Sequence, residues 1–152
     1  MKDNTVLKIF TIGFTGTSAE HFFGRLQNAG VQKVIDTRLW ADTQLAGFAK
    51  KQNLPFFLAS LAHIDYEHKQ DLAPSDDILK DFKNKKIGWP EYERLYRDLL
   101  RRRKIAENLK PEDILNACFL CAEQKPHYCH RRLLAEYLKE QWPGRKIEIV
   151  HL

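Results

Sequence analysis

Residues 115–137 have the sequence LNACFLCAEQKPHYCHRRLLAEY and carry all three cysteines of the chain. Residues 117–121 are short and apolar, which predicts a buried strand. Pro126 cannot continue a strand and suits the first turn of a helix, so we expect the strand to end near Glu123. From Tyr128 onward leucine and tyrosine recur at helical spacing. The stretch therefore predicts a strand, a polar turn and a helix.

This predicted turn concentrates reactive side chains. Its helix begins near Arg131, where unpaired N–H groups and the positive end of the helix dipole favour an anion and a cysteine thiolate. A thiolate here can act as a nucleophile, and a carboxylate or imidazole beside it can move protons. The candidate catalytic residues are Cys121, Glu123, Cys129 and His130. Cys118, inside the strand, is expected to behave as a small hydrophobic residue.

Strands and helices alternate along the whole chain. The predicted strands are 6–13, 31–37, 63–69, 117–121 and 146–152. A capping box at Thr17 and Glu20 begins the first helix, Gly30 ends it, and a long helix covers 90–108. The pattern predicts one α/β domain over 1–152: a three-layer fold with a mostly parallel sheet of about five strands and helices on both faces.

Further polar residues follow the first two predicted strands. Carboxyl ends of strands line the ligand crevice of open α/β sheets, so we expect the strands beginning at 6, 31 and 117 to be neighbours. The candidate ligand-binding residues are Gly13, Thr15, Asp36, Arg38 and Arg131. Two structural alternatives stay open: a strand-to-helix turn that needs small residues, and an Asp–Arg ion pair that orders the loop.

The charge balance favours anionic partners. The net charge of +5 and the pI near 9.1 suit an anionic small molecule or a nucleic acid. One face of the helix predicted over 90–108 carries cations at three-and-four spacing: Arg94, Arg97, Arg101 and Lys104. This basic stripe either follows a phosphate backbone or is a solvated face partly neutralised by Glu93 and Asp98.

Location and redox state follow from composition. No apolar run approaches the ~20 residues of a membrane span, and the start shows no signal-peptide core, so we expect a cytoplasmic protein without membrane contact. An odd number of cysteines in such a chain favours reduced thiols. The pattern does not specify an oligomeric state.

Metal chemistry fits the cysteine spacing poorly. Cys121, Cys129 and His130 are residue types that bind zinc, but structural zinc sites present ligand pairs two to four residues apart. A zinc deaminase would need a Pro-Cys-x-x-Cys motif, which the chain lacks. A phosphatase-type loop would need an arginine six positions after a cysteine, and none stands there. We therefore predict no metal and no cofactor.

Four short motifs carry a resemblance to a known family. They are Thr11-Ile12-Gly13, Asp36-Thr37-Arg38, Leu120-Cys121-Ala122-Glu123 and Cys129-His130-Arg131. In this order and spacing, over nearly the whole chain, the sequence resembles domain-of-unknown-function family number 488. The commonest family pattern has His-Ser after the first glycine, where this chain has Phe14-Thr15. The resemblance implies a small bacterial or archaeal α/β protein, without an established activity.

Two functional interpretations remain open. In the first, the chain is an enzyme acting on a nucleotide or a nucleic-acid base, with Arg38 and Arg131 holding phosphate and Cys121, Glu123 and His130 performing the chemistry. In the second, it is a module that binds a phosphate ligand or nucleic acid without turnover. A Cys121→Ser variant discriminates between them, because only the enzyme loses product formation while keeping ligand affinity.

Overall fold

A sheet of five parallel strands forms the centre of the computed structural model, which describes residues 5–41, 47–123 and 125–152. The strands are β1 (Leu7–Gly13), β2 (Lys33–Asp36), β3 (Asp65–His68), β4 (Ala117–Cys121) and β5 (Ile147–His151). Their order is β3-β2-β4-β1-β5, and all neighbouring pairs are parallel. The predicted α/β class and five-stranded sheet are confirmed.

Six helices occupy the described ranges. They are α1 (Ala19–Asn28), α2 (Leu54–Phe57), α3 (Asp76–Lys83), α4 (Trp89–Arg102), α5 (Ile105–Asn108) and α6 (His130–Gln141). A π-helical segment, Leu58–Ala62, continues α2, and single 3-10 turns cover Gly47–Ala49, Gln70–Leu72 and Pro111–Ile114. No helix among these is long and apolar enough to cross a membrane.

The sheet separates two apolar layers, because side chains alternate between its faces. Ile9 of β1 packs in the layer of α3, α4, α5 and α6, whereas Ile12 packs in the layer of α1 and α2. In β4, Phe119 packs in the same layer as Ile9, and Leu120 packs in the same layer as Ile12. Helices therefore cover both faces, as the alternating pattern predicts.

Two predicted helix boundaries were wrong. The first helix begins after Ser18, whose Oγ accepts a hydrogen bond from the backbone N–H of His21 at 3.1 Å, so Thr17 is not its cap. The helix predicted over 90–108 ends at Arg102, because Lys104 adopts a left-handed conformation with φ of 55° and α5 starts anew. The predicted stop at Gly30 is confirmed by its φ of 74°.

The strand order places a crevice at the centre of the sheet. β4 lies between β2 and β1, so the three strands expected to be neighbours are adjacent. The helix after β4 packs on one face, whereas the helices after β1 and β2 pack on the other. Where the helices that follow neighbouring strands pack on opposite faces of the sheet, a ligand crevice forms at the carboxyl ends of those strands.

Candidate functional site

A cavity of about 240 Å³ lies at the carboxyl ends of β2 and β4, on the face covered by α3, α4 and α6. Its lining residues are Arg38, Leu39, Trp40, Leu79, Phe82, Tyr92, Cys121, Ala122, Glu123, Tyr128, Cys129 and His130. The volume falls just below the ~300 Å³ at which drug-sized ligand sites begin. The cavity therefore suits a single small ring system.

Aromatic side chains form much of the cavity wall: Trp40, Phe82, Tyr92 and Tyr128. Tyr92 is buried and stacks on Trp89, with ring centroids 4.8 Å apart and an interplanar angle of 19°. Trp40 and Tyr128 are 54% and 67% exposed, so they stand at the mouth. Flat apolar surfaces with polar edges are suited to packing on a planar ring.

Arg38 lies in the cavity lining with its charge already paired. Its Nε and Nη2 donate to the two carboxylate oxygens of Asp36 at 2.8 and 2.7 Å, and Nη2 also donates to the carbonyl of Ala49 at 2.6 Å. The hydroxyl of Tyr66 donates to the same carboxylate at 2.6 Å. Both members of the pair are buried, and Nη1 has no hydrogen-bond partner in the described part of the chain. The two N–H bonds of Nη1 are thus buried and unpartnered among these residues.

His130 is held in one tautomer by Thr37. The Thr37 hydroxyl donates to the carbonyl of Leu120 at 2.8 Å, so its oxygen accepts from His130 Nε2 at 3.0 Å, together with the Thr37 carbonyl at 2.8 Å. Nε2 must therefore carry the proton, and Nδ1 keeps its lone pair. Burial lowers the pKa of His130 to about 4, so the ring is neutral at physiological pH.

Arg131 lies behind the cavity and is fully buried. Its Nε donates to Thr11 Oγ1 at 3.2 Å, and its Nη1 donates to Cys121 Sγ at 3.1 Å and to the carbonyl of Glu123. Burial lowers the pKa of Arg131 to about 10, which still leaves the guanidinium charged at neutral pH. These contacts tie α6 to β1 and β4.

Gly13 and Thr15 fasten the loop between β4 and α6. A Cβ at Gly13 would overlap the carbonyl oxygen of Glu123, so only glycine allows this close approach. The backbone N–H and the hydroxyl of Thr15 both donate to the carbonyl of Ala122, at 3.1 and 2.6 Å. The loop is thereby held across the end of β1.

The loop brings Cys121 and Cys129 together. Their Sγ atoms are in direct contact in a disulfide pairing, and Cys118 stays free and buried. The expectation of three reduced thiols is thus contradicted, because the sequence does not reveal that the loop returns to the end of β4. The Cα atoms of the two residues are 7.5 Å apart, outside the ~4.4–6.8 Å of most disulfides.

Comparison with known proteins identifies the family of the chain. The family described as Domain of unknown function DUF488 matches residues 18–138. The chain belongs to the DUF488 family. No curated protein and no solved structure matches it. The resemblance read from the four motifs is confirmed.

Five of the predicted site residues of this DUF488 chain line the same cavity: Arg38, Cys121, Glu123, Cys129 and His130. Of these, Glu123 is exposed and the others are buried. The other four, Gly13, Thr15, Asp36 and Arg131, are not among its lining residues. Members of the second group contact members of the first: Asp36 pairs with Arg38, and Arg131 donates to Cys121.

Sequence reasoning assigned no site role to the aromatic wall or to Thr37. Phe82 and Tyr92 belong to apolar helical stripes, and periodicity alone does not distinguish a cavity wall from a core. Thr37 is the central residue of the Asp36-Thr37-Arg38 motif, and its place in this motif is the signal that could have identified it.

Two of the four cations of the basic stripe, Arg94 and Arg97, form ion pairs in this DUF488 chain, and Lys104 lies beyond the end of α4. Arg97 is 16% exposed and lies within 4 Å of three glutamates: Glu93, Glu136 and Glu140. Arg94 pairs with Glu91 at 2.5 Å. This arrangement favours the interpretation of a solvated, partly neutralised face over a phosphate-binding surface.

Among the described residues no three His, Cys, Asp or Glu side chains form a group that could hold a metal ion.

Proposed function

We propose that this protein is an enzyme acting on the base of a nucleotide or nucleic acid. The observation that carries the proposal is the meeting of two cysteine sulfurs and a neutral histidine in one aromatic-walled cavity. A planar base fits the volume and the wall, whereas a larger ligand would extend past Trp40 and Tyr128 at the mouth.

The charges of the site favour a base over a phosphate as the group held inside. Asp36 neutralises Arg38, and Arg131 is buried behind the cavity. The unpartnered N–H bonds of Arg38 Nη1 suit a ring carbonyl oxygen, and His130 Nδ1 suits a ring N–H. A phosphate would then remain at the mouth or in solvent.

The chemistry we assign begins with Cys121 in its reduced form. The Arg131 guanidinium at its sulfur favours the thiolate, which forms an S–C bond with an electron-poor ring carbon. The displaced electron pair collects on the ring and is protonated from solvent through Glu123, which is exposed at the cavity edge. A pKa of about 4 makes His130 a poor base at neutral pH, so we assign it to orientation of the ring.

Reduced protein, incubated with the five common bases and with their nucleosides and 5′-monophosphates, tests the proposal. Calorimetry measures binding and mass spectrometry of the mixture detects products. We expect Cys121→Ser to bind as the unmodified protein does and to form no product, and Cys118→Ser, the matched control, to keep both. Binding without any product would favour the non-catalytic module, and failure to bind every compound would reject the proposal.

The aromatic wall provides a separate test of the same proposal. Phe82→Ala removes one ring from the wall and should weaken base binding by ~1–3 kcal/mol, or roughly fivefold to 150-fold in Kd. Phe56→Ala is the matched control, because Phe56 is 66% exposed and does not line the cavity. Equal losses in both variants would contradict a base stacked on this wall.

A further inference from the structure

Two of the three cysteines share the cavity and the third does not. Cys121 and Cys129 both line it with their sulfurs in contact, although each residue is at most 2% exposed. Cys118 lies in the apolar layer of α1 and α2, on the other face of the sheet. A small reagent that enters the cavity therefore meets two sulfurs at once and has no direct route to the third.

The surroundings of the pair favour ionised sulfur. The guanidinium of Arg131 donates to Cys121 Sγ at 3.1 Å, and Cys129 occupies the N-cap position of the twelve-residue helix α6. A cation and a helix N-terminus both stabilise a thiolate, which is the species that reacts with peroxides. Burial raises the pKa of the Cys118 thiol, and Cys118 is not a lining residue of the cavity.

We propose that Cys121 and Cys129 form a reversible dithiol–disulfide pair that is oxidised by peroxides, with Cys121 reacting first. The Cys121 thiolate attacks one peroxide oxygen, the O–O bond breaks, and water leaves once protonated, giving a sulfenic acid. The Cys129 thiolate then attacks this sulfur, forming the S–S bond and releasing a second water. Two thiols lose two electrons and one hydrogen peroxide becomes two waters, so the step balances; a dithiol reductant restores both thiols.

Oxidation of the pair has one consequence that rests on the proposed function. The disulfide form offers no thiolate at Cys121, so covalent chemistry on a base should stop until the pair is reduced. The readouts below need no base or nucleotide. The redox proposal can therefore fail or hold independently of the proposed function.

The experiment uses the full chain, reduced with dithiothreitol, freed of reductant and treated with one equivalent of hydrogen peroxide. We expect the intact mass to fall by two hydrogens and the thiol count in denaturant to fall from three to one. A peptide map should join Cys121 to Cys129, and renewed dithiothreitol should restore three thiols. Cys118→Ser should lose the same two thiols.

Trapping with dimedone identifies the cysteine that peroxide attacks first. In Cys129→Ser the label should appear on Cys121, roughly tenfold faster at neutral pH than on Cys129 in Cys121→Ser, since a thiolate favoured by a guanidinium reacts at a lower pH. Three thiols persisting in the folded wild-type chain after peroxide would overturn the proposal. So would a peptide map that joins Cys118, and equal labelling rates would overturn the assigned order.

Discussion

Gly13 is the residue whose small size the site depends on most directly. Gly13→Ala would push a methyl group into the carbonyl of Glu123, forcing the loop off β1, and should lower the free energy of unfolding by ~1–3 kcal/mol. Gly24→Ala is the matched control: Gly24 lies inside α1 with nothing within 4 Å of a Cβ, so the change should raise stability by ~0.5–1 kcal/mol. Urea unfolding of both variants measures the contrast, and a neutral Gly13→Ala would contradict the close approach.

His130 makes stability depend on pH in a defined direction. Its pKa is about 4 in the folded chain and near 6.5 when unfolded, so between these values the unfolded state binds more protons. The contribution of His130 to the free energy of unfolding is therefore fully present above pH ~6.5, and up to ~3 kcal/mol of it is lost as the pH drops toward 4.

A His130→Gln variant tests this linkage. It should be less stable at pH 7.5, because its contacts with Thr37 change, but its stability should fall less steeply between pH 6.5 and 4. Denaturant unfolding at several pH values gives both curves, with the exposed His21→Gln as control. Parallel curves for His130→Gln and the unmodified chain would show that His130 does not cause the pH dependence of stability.

At the scale of elements, the ion-pair cluster around Arg97 joins α4 to α6. Arg97 contacts Glu140 at 2.9 Å and Glu136 at 3.5 Å, both on α6, whereas Arg102 pairs within α4, with Asp98 at 3.1 Å. Arg97→Ala should therefore destabilise by about 1 kcal/mol, and Arg102→Ala, in a pair 67% and 48% exposed, by ~0.5 kcal/mol or less.

The Arg97→Ala variant also tests whether Arg97 of α4 contacts nucleic acid. Because Arg97 is occupied by glutamates, we expect the salt dependence of any DNA or RNA binding to be the same in Arg97→Ala as in the unmodified chain. Filter binding at several salt concentrations measures the slope. A slope lower by roughly one unit in Arg97→Ala would restore the phosphate-tracking interpretation.

At the scale of the whole molecule, the two apolar layers share one sheet and should unfold together. Ile9 and Ile12 both belong to β1, but they are buried in the apolar layers on opposite faces of the sheet. Ile9→Val and Ile12→Val should each cost ~0.5–1.5 kcal/mol, and the double variant should equal their sum to within ~0.5 kcal/mol. Coincident transitions by far-UV dichroism and tryptophan fluorescence are expected, and separate transitions would show independent layers.

The sequence determined the elements and their type. The apolar run of β4 and the helical spacing after Tyr128 are local signals, and each records which side of an element meets the core. The strand at 117–121 was predicted with the bounds that the structure has. The motifs after β2 and β4 marked five of the residues that line the cavity, because reactive and charged side chains at strand ends have few structural reasons to be there.

Only the tertiary structure decided what each of these residues does. His130 receives its tautomer from Thr37, 93 positions away, and Arg131 meets Thr11 across 120 positions. The contact between Cys121 and Cys129 likewise depends on a loop that Gly13 and Thr15 hold down from β1. Local patterns carry no information on such contacts, because the order of strands and the burial of charges are set by packing between distant segments.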